Sequence, residues 1–365
     1  MGNVQDFFDR LFSLELPAFL SIFIVLIFIL TIGKLLGRVM GIIQNFFKQI
    51  FVSELPTLKI TMLGPTAVGK TSLLAAMYDR FENSSKNLQL KPQDQTYNNL
   101  RRRLDELKKD LVGDSIKVRG GVASDNQPRS YIFDFGETGA SPALSLHFQD
   151  YPGEYINNDK PEQINKVKNF IRESVAIIIP IDAAALIEEN GKHHEVEKIN
   201  NLCKDFCIDL KSPKLVILAP VKCEKYLDNP RYLINKVRDG YSTLLNKLSG
   251  DKLVDKVAVV ITPVATVGAV VFSRVEYEDN EPTFIFRKLN PTDQYEPKYS
   301  EQPIRYLLKF LINLHIKNKY VLGISRILNL FSQDQSLQKA VYEFASTTNI
   351  QEISEVVQGA HLLEL

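Results

Sequence analysis

The chain has 365 residues, a formal net charge of +1 and three cysteines. That length holds one large domain, or two modest ones with extras. A near-neutral balance leaves no electrostatic footprint for a nucleic-acid partner. Cys203 and Cys207 lie one helical turn apart and Cys223 stands alone. Two cysteines at that spacing read as buried thiols in a reducing compartment, not as a structural zinc site.

Residues 1–15 are mixed in character, and Leu16 to Gly33 carries no charge. Its centre, Ile22 to Leu30, is apolar on every face, which predicts a transmembrane helix over residues 16–36. Lys34, Arg38 and Lys48 follow the apolar core rather than precede it. That order disfavours a signal peptide and predicts a single-pass protein with its N-terminus out and its bulk in the cytoplasm. Gly33, Gly37 and Gly41 recur four apart, the spacing of a small-residue helix-packing face. Residues 37–55, with Ile42, Ile43, Phe46, Phe47, Ile50 and Phe51, read as an amphipathic juxtamembrane segment.

From residue 56 to about 318, strand-like and helix-like runs alternate. Thr57 to Leu63 reads as a strand and Ser72 to Tyr78 as a helix, and between them stands Gly64-Pro65-Thr66-Ala67-Val68-Gly69-Lys70-Thr71-Ser72. This is G-x-x-x-x-G-K-[ST] in strand–loop–helix context. Glycines let successive N–H groups curl towards one phosphate, and the helix N-terminus adds free N–H groups and its positive dipole end. Lys70 is placed to reach the β- and γ-phosphates, and the Thr71 hydroxyl to ligate Mg²⁺. Residues 85–128 read as an insertion holding an amphipathic helix, with Leu100, Leu104, Leu107 and Leu111 among Arg101, Arg102, Arg103, Lys108 and Lys109.

Ser130–Phe135 and Ala143–Gln149 read as hairpin partners, with His147 a structural residue among apolar neighbours. The second strand ends in Asp150-Tyr151-Pro152-Gly153-Glu154. An acidic residue at a core strand tip is where such folds hold Mg²⁺, and Gly153 offers a backbone N–H to a γ-phosphate. Three more buried strands follow, over 174–181, 214–219 and 256–261, the last two ending at Lys222 and Ala265. One helix is expected from Pro230 to Leu248, an irregular hairpin or loop from Tyr277 to Tyr299, a closing helix from Gln302 to Ile316, and two or three short helices in residues 319–365. Crossovers of this kind give an α/β fold, a mostly parallel sheet with helices on both faces and its ligand at the strands' carboxyl ends.

These residues resemble the P-loop GTPases of the Ras and translation-factor class over about residues 57–317. Gly64–Ser72 matches the family's first motif and Asp150–Gly153 its third. The fourth, normally Asn-Lys-x-Asp or Thr-Lys-x-Asp, is Val221-Lys222-Cys223-Glu224 here. The resemblance implies that the Lys222 stem packs on guanine and that the Glu224 carboxylate accepts from its edge. Val264-Ala265-Thr266 is similar to the fifth motif. No threonine stands out for the second, with Ser124 and Ser130 the nearest candidates. Glu154 takes the place of the family's water-positioning Gln, and can orient water only by accepting bonds. Asp-Tyr-Pro-Gly-Glu, the insertion before it and Ser300 to Leu308 further resemble bacterial double-GTPase families of multi-gene defence systems. That implies protein partners and a paired GTPase or self-association. The expectation is a membrane-anchored GTPase switch using GTP, GDP and Mg²⁺, with Lys70 and Glu154 catalytic. An ATPase of the same fold and a non-hydrolysing membrane scaffold are its alternatives.

Overall fold

The structure is a computed structural model that describes residues 55–65, 67–111, 115–119, 128–151, 161–192, 196–197, 199–201, 210, 212–251, 253–278, 281–317, 334–346 and 353–365. The segments 16–36 and 37–54 lie outside these. Among the described residues no helix is long and apolar enough to cross a membrane.

The main sheet is built on five parallel strands: β1 (Thr57–Met62), β5 (Leu144–Asp150), β6 (Ala176–Asp182), β7 (Lys214–Val221) and β8 (Val257–Ile261). Antiparallel strands flank them: β2 (Leu88–Pro92) and β4 (Arg129–Glu137) on one side, β11 (Glu355–Gln358) on the other. The spatial order is β11-β8-β7-β6-β1-β5-β4-β2. Every residue of β6, β7 and β8 is buried, because helices cover both faces. Their side chains divide by alternation. Ile178 and Ile217 enter one core with Leu73 of α1 (Lys70–Ser84), Leu307 of α7 (Gln302–Ile316) and Val341 of α8 (Gln335–Ser346). Ile177, Ile179, Val216 and Leu218 enter the other with Val167 of α3 (Pro161–Glu173), Leu233 of α5 (Pro230–Gly240) and Leu244 of α6 (Ser242–Leu248). Pro180 is tolerated in a central strand because β1 makes its last bond to β6 at Leu63 N–H to Ile178 O, so no neighbour requires the missing N–H.

Several boundaries differ from the sequence reading. Within 85–128, β2 joins the main sheet as its edge, and α2 (Asp94–Asp110) buries Leu100, Leu104 and Leu107. Strand β3 (Ser115–Arg119) belongs to a second, three-stranded sheet with β9 (Val270–Glu278) and β10 (Glu281–Lys288). The segment expected as an irregular hairpin or loop from Tyr277 is a hairpin that starts earlier, with a register shift between Ile285 and Phe286 and irregular backbone from residue 289, carried by Phe272, Phe284 and Phe286 packed with Leu107 and Leu111. The helix expected over 230–248 is two, parted at Tyr241. A Cβ at Gly240 would stand 2.7 Å from Leu186 Cδ1, so a larger residue there would require Leu186 to shift. In the tail α8 is a helix, but 355–358 is a strand that caps the β8 edge. Four residues with adjacent valines carry too short a period to announce a strand.

At the amino ends of the strands the buried Lys214 ammonium closes α3. It donates to Ile171 O at 3.0 Å, to Arg172 O at 2.9 Å, and to Ser174 O. Lys214→Met strands those carbonyls, and a loss of about 1–3 kcal/mol is expected, read as a lower urea midpoint with the slope unchanged.

Candidate functional site

The carboxyl ends of β1, β5, β6, β7 and β8 bring together nearly all the sequence-marked residues that the structure describes. Parallel pairing sets Met62 beside Asp150, and Asp182 beside Val221. The phosphate loop leaves β1 at Leu63. Gly64 is required by space, since a Cβ would meet Val68 Cγ1 at 3.0 Å and Pro180 O at 3.4 Å. Gly69 is required by conformation, with φ +111°. The first bond of α1 is Leu73 N–H to Gly69 O at 2.8 Å. The N–H groups of Lys70, Thr71 and Ser72 precede that bond and donate to no partner among the described residues, leaving them for an anion.

The loop's carbonyls face the other way and are held by two ammonium groups. Lys70 Nζ donates to Gly64 O at 2.9 Å and Pro65 O at 3.1 Å. Lys222 Nζ, arriving from the end of β7, donates to Ala67 O at 3.0 Å. Ala67 and Lys222 are both left-handed, with φ 61° and 54°. Such backbone in non-glycine residues is sparsely populated and clusters at functional sites.

Asp150 stands 3.7 Å from the Lys70 ammonium, too far for a direct hydrogen bond. Its Oδ1 is buried with no hydrogen-bond partner among the described residues, and the neighbouring Thr71 hydroxyl favours the ionised carboxylate. Burial raises the Asp150 pKa, opposed by the charges of Lys70 and Arg129. Burial lowers that of Lys70, opposed by Asp150. A buried, acceptor-only oxygen beside a hydroxyl is the donor set of a hard, oxygen-seeking cation, so Asp150 and Thr71 fit Mg²⁺.

Glu224 takes a position that the sequence did not announce. Its Oε1 accepts from Val267 N–H at 3.3 Å and Gly268 N–H at 3.2 Å, tying the fourth motif to the loop that carries Ala265. Burial raises its pKa, and those backbone donors and Lys222 pull it down. Ala265 pairs with Lys298 through two backbone bonds, of 3.0 and 2.9 Å. Ser72 Oγ accepts from Arg103 Nε at 3.0 Å, which ties the start of α1 to α2. Thr66, Gly153, Glu154 and Ser124 lie outside the described residues, as do Cys203 and Cys207. Cys223 is buried, and His147 is half-buried on β5, in register with Lys59 and away from the strand ends.

The residue that sequence reading missed is Asp182, the last of β6. One carboxylate oxygen caps α4 (Ala183–Ile187) by accepting from Ala185 N–H at 3.0 Å. The other pairs with the Lys222 ammonium. The available signal was an acidic residue closing an apolar strand level with the Lys222 strand end. Asp182→Asn keeps a cap oxygen but loses the charge that holds Lys222. It is expected to speed release of a bound fluorescent nucleoside diphosphate by about 5- to 30-fold, the range of 1–2 kcal/mol. Lys222→Met should do the same, and the double variant should be little worse than either alone.

Residues 59–268 match the family model Double-GTPase 2. No curated protein is similar enough to match. Among solved structures, the GTPase-like domain of S. cerevisiae Ski7 bound to GDP and inorganic phosphate is 12% identical with a TM-score of 0.36, over 60% of this chain and 45% of that one. This chain thus spans less than half of that protein's length. The Sar1-type GTPase of Encephalitozoon cuniculi in complex with GDP is 13% identical with a TM-score of 0.28, over 64% of this chain and 83% of that one. A chain of an oligomerised bacterial dynamin pair is 15% identical with a TM-score of 0.28, over 64% and 43%. Scores this low carry no inference of their own. The family model spans more than half of the chain, from the strand before the phosphate loop to Gly268 behind Glu224, and the protein belongs to the Double-GTPase 2 family of P-loop GTPases.

Proposed function

We propose that this protein is a membrane-anchored, Mg²⁺-dependent GTPase switch. The observation that carries the reading is the arrangement behind the phosphate loop, where Lys70, the Thr71 hydroxyl and an Asp150 oxygen with no partner among the described residues converge. Lys70 holds its own loop open by its carbonyls and keeps its positive charge directed at the β- and γ-phosphates. Thr71 and Asp150 hold the cation, which when bound neutralises charge that develops on the transferring phosphoryl group. The free N–H groups of Lys70, Thr71 and Ser72 cradle the phosphates. Lys222 lays its stem along the guanine face, and Glu224 accepts from its edge. Gly153 and Glu154, just past Asp150, sense the γ-phosphate, and Glu154 orients water through accepted bonds. The apolar run over 16–36 anchors the chain with its N-terminus out. Gain and loss of the γ-phosphate order and release the segments beside the site, and protein partners read that change, in keeping with a multi-protein defence-type system.

The test uses the full chain in detergent with Mg²⁺. Fluorescent GDP is titrated in, then displaced with GTP and with ATP. Displacement by GTP alone is expected. Equal displacement by ATP would favour an ATPase, and tight binding with no turnover a scaffold. Lys70→Ala should abolish binding, and micromolar binding by that variant would remove the loop from the mechanism. Asp150→Asn should leave GDP release insensitive to chelation of Mg²⁺, whereas in the unaltered protein chelation accelerates it. Resistance of the membrane-bound chain to alkaline extraction, lost on deletion of residues 16–36, tests the anchor.

A further inference from the structure

A carboxylate that reads guanine with both oxygens pairs two donors on the base edge, the ring N1–H and the 2-amino group. A carboxylate oxygen carries two lone-pair sites. In this protein Glu224 Oε1 uses both, on the N–H groups of Val267 and Gly268.

That engagement is not easily given up, because the loop is fixed from behind. Gly268 is left-handed, and a Cβ there would stand 1.7 Å from Glu296 O. Glu296 N–H donates to Val267 O at 3.0 Å, and Ala265 pairs with Lys298 in both directions. The loop therefore cannot retreat from Glu224 without breaking bonds on its far side. Swinging Oε1 onto a base would leave two backbone donors unpaired, a cost comparable to the bond gained. Lys222 is fixed as well, its ammonium held by Asp182 and by Ala67 O. Its stem is an apolar plate that offers a purine no hydrogen bond.

Resting on the reading of Glu224 as the base-facing carboxylate, we propose that Glu224 reads the purine with Oε2 alone, through N1–H, so that the site takes hypoxanthine nucleotides as readily as guanine nucleotides. The recognised class is the 6-oxopurine nucleotides. Both bases present N1–H, and the second Glu224 oxygen, which would accept from the 2-amino group that separates them, is already taken by Val267 and Gly268. Adenine stays excluded, since its N1 is a lone pair and would face the carboxylate oxygen.

The test is equilibrium competition on the full chain in detergent with Mg²⁺, displacing fluorescent GDP with GDP, inosine diphosphate or ADP. Inosine diphosphate within threefold of GDP, with ADP at least a hundredfold weaker, is the expected result. Inosine diphosphate tenfold or more weaker than GDP shows that the 2-amino group is read, and overturns the proposal while leaving the guanine reading intact. ADP competing as well as GDP overturns both. Glu224→Gln supplies the second arm, because its amide oxygen still accepts from Val267 and Gly268 while its NH₂ faces N1–H. A folded Glu224→Gln protein, checked by circular dichroism, should lose GDP and inosine diphosphate affinity by the same factor, about 10 to 100. A larger loss for GDP than for inosine diphosphate overturns the single-oxygen reading.

Discussion

The site depends on how the carbonyls of the phosphate loop are satisfied. A loop that turns successive N–H groups towards an anion must turn its C=O groups away, into protein. Left unpaired there, each would carry the cost of a buried polar group. Lys70 holds the carbonyls of Gly64 and Pro65 from within, and Lys222 holds that of Ala67 from a strand two places away in the sheet. Both cations thereby serve twice. They support the backbone that presents the N–H groups, and they add positive charge where a polyphosphate needs it. The loop is consequently not a local structure. Its shape is conditional on β7, and through Asp182 on the end of β6.

The parallel sheet makes that dependence possible. Five adjacent strands run the same way, so five carboxyl ends open on one edge and their loops can meet without long excursions. In-register pairing brings Asp150 level with the end of β1 and Asp182 level with Val221, one residue before Lys222. Burial of the central strands on both faces makes the register costly to slip. The opposite edge has the quieter task of closing helices, as the Lys214 ammonium does for α3. The three-stranded sheet adds a wall beside the fourth and fifth motifs: Phe272 of β9 carries the Lys225 ammonium over its ring at 4.9 Å, next to Glu224 in sequence.

What was legible in the sequence was what short-range pattern encodes. The phosphate loop announced itself by spacing, the buried strands by unbroken apolar runs, and α2 by its leucines at 100, 104 and 107. What stayed hidden depends on contacts between residues far apart. Asp182 looks like an ordinary strand terminator until folding sets it beside Lys222, 40 positions on. The bonds from Glu224 to Val267 and Gly268 span 43 and 44 positions. Strand β11 is four residues long and exists because β8 offers an unpaired edge. The β9–β10 hairpin was obscured by its polar and aromatic composition, whose aromatic members pack with Leu107 of α2 and Leu111 just beyond it, from far earlier in the chain.

The departure of the fourth motif from its usual form becomes intelligible once the fifth is placed beside it. The family's usual motifs close with Asp in the fourth and a Ser-Ala-Lys type in the fifth. This chain has Glu224 in the one and Val264-Ala265-Thr266 in the other. Valine at 264 brings no hydroxyl to the loop. A side chain one methylene longer than Asp reaches past that position to the backbone N–H groups of Val267 and Gly268, which a β-branched apolar residue leaves for others to satisfy. Gly268 then has to be glycine, because the turn that presents its N–H to Glu224 also presses its α-carbon against Glu296 O. The longer acid, the valine at 264 and the crowded glycine are thus one arrangement. Glu224 thereby holds the base loop, and one of its carboxylate's two oxygens is committed to that task.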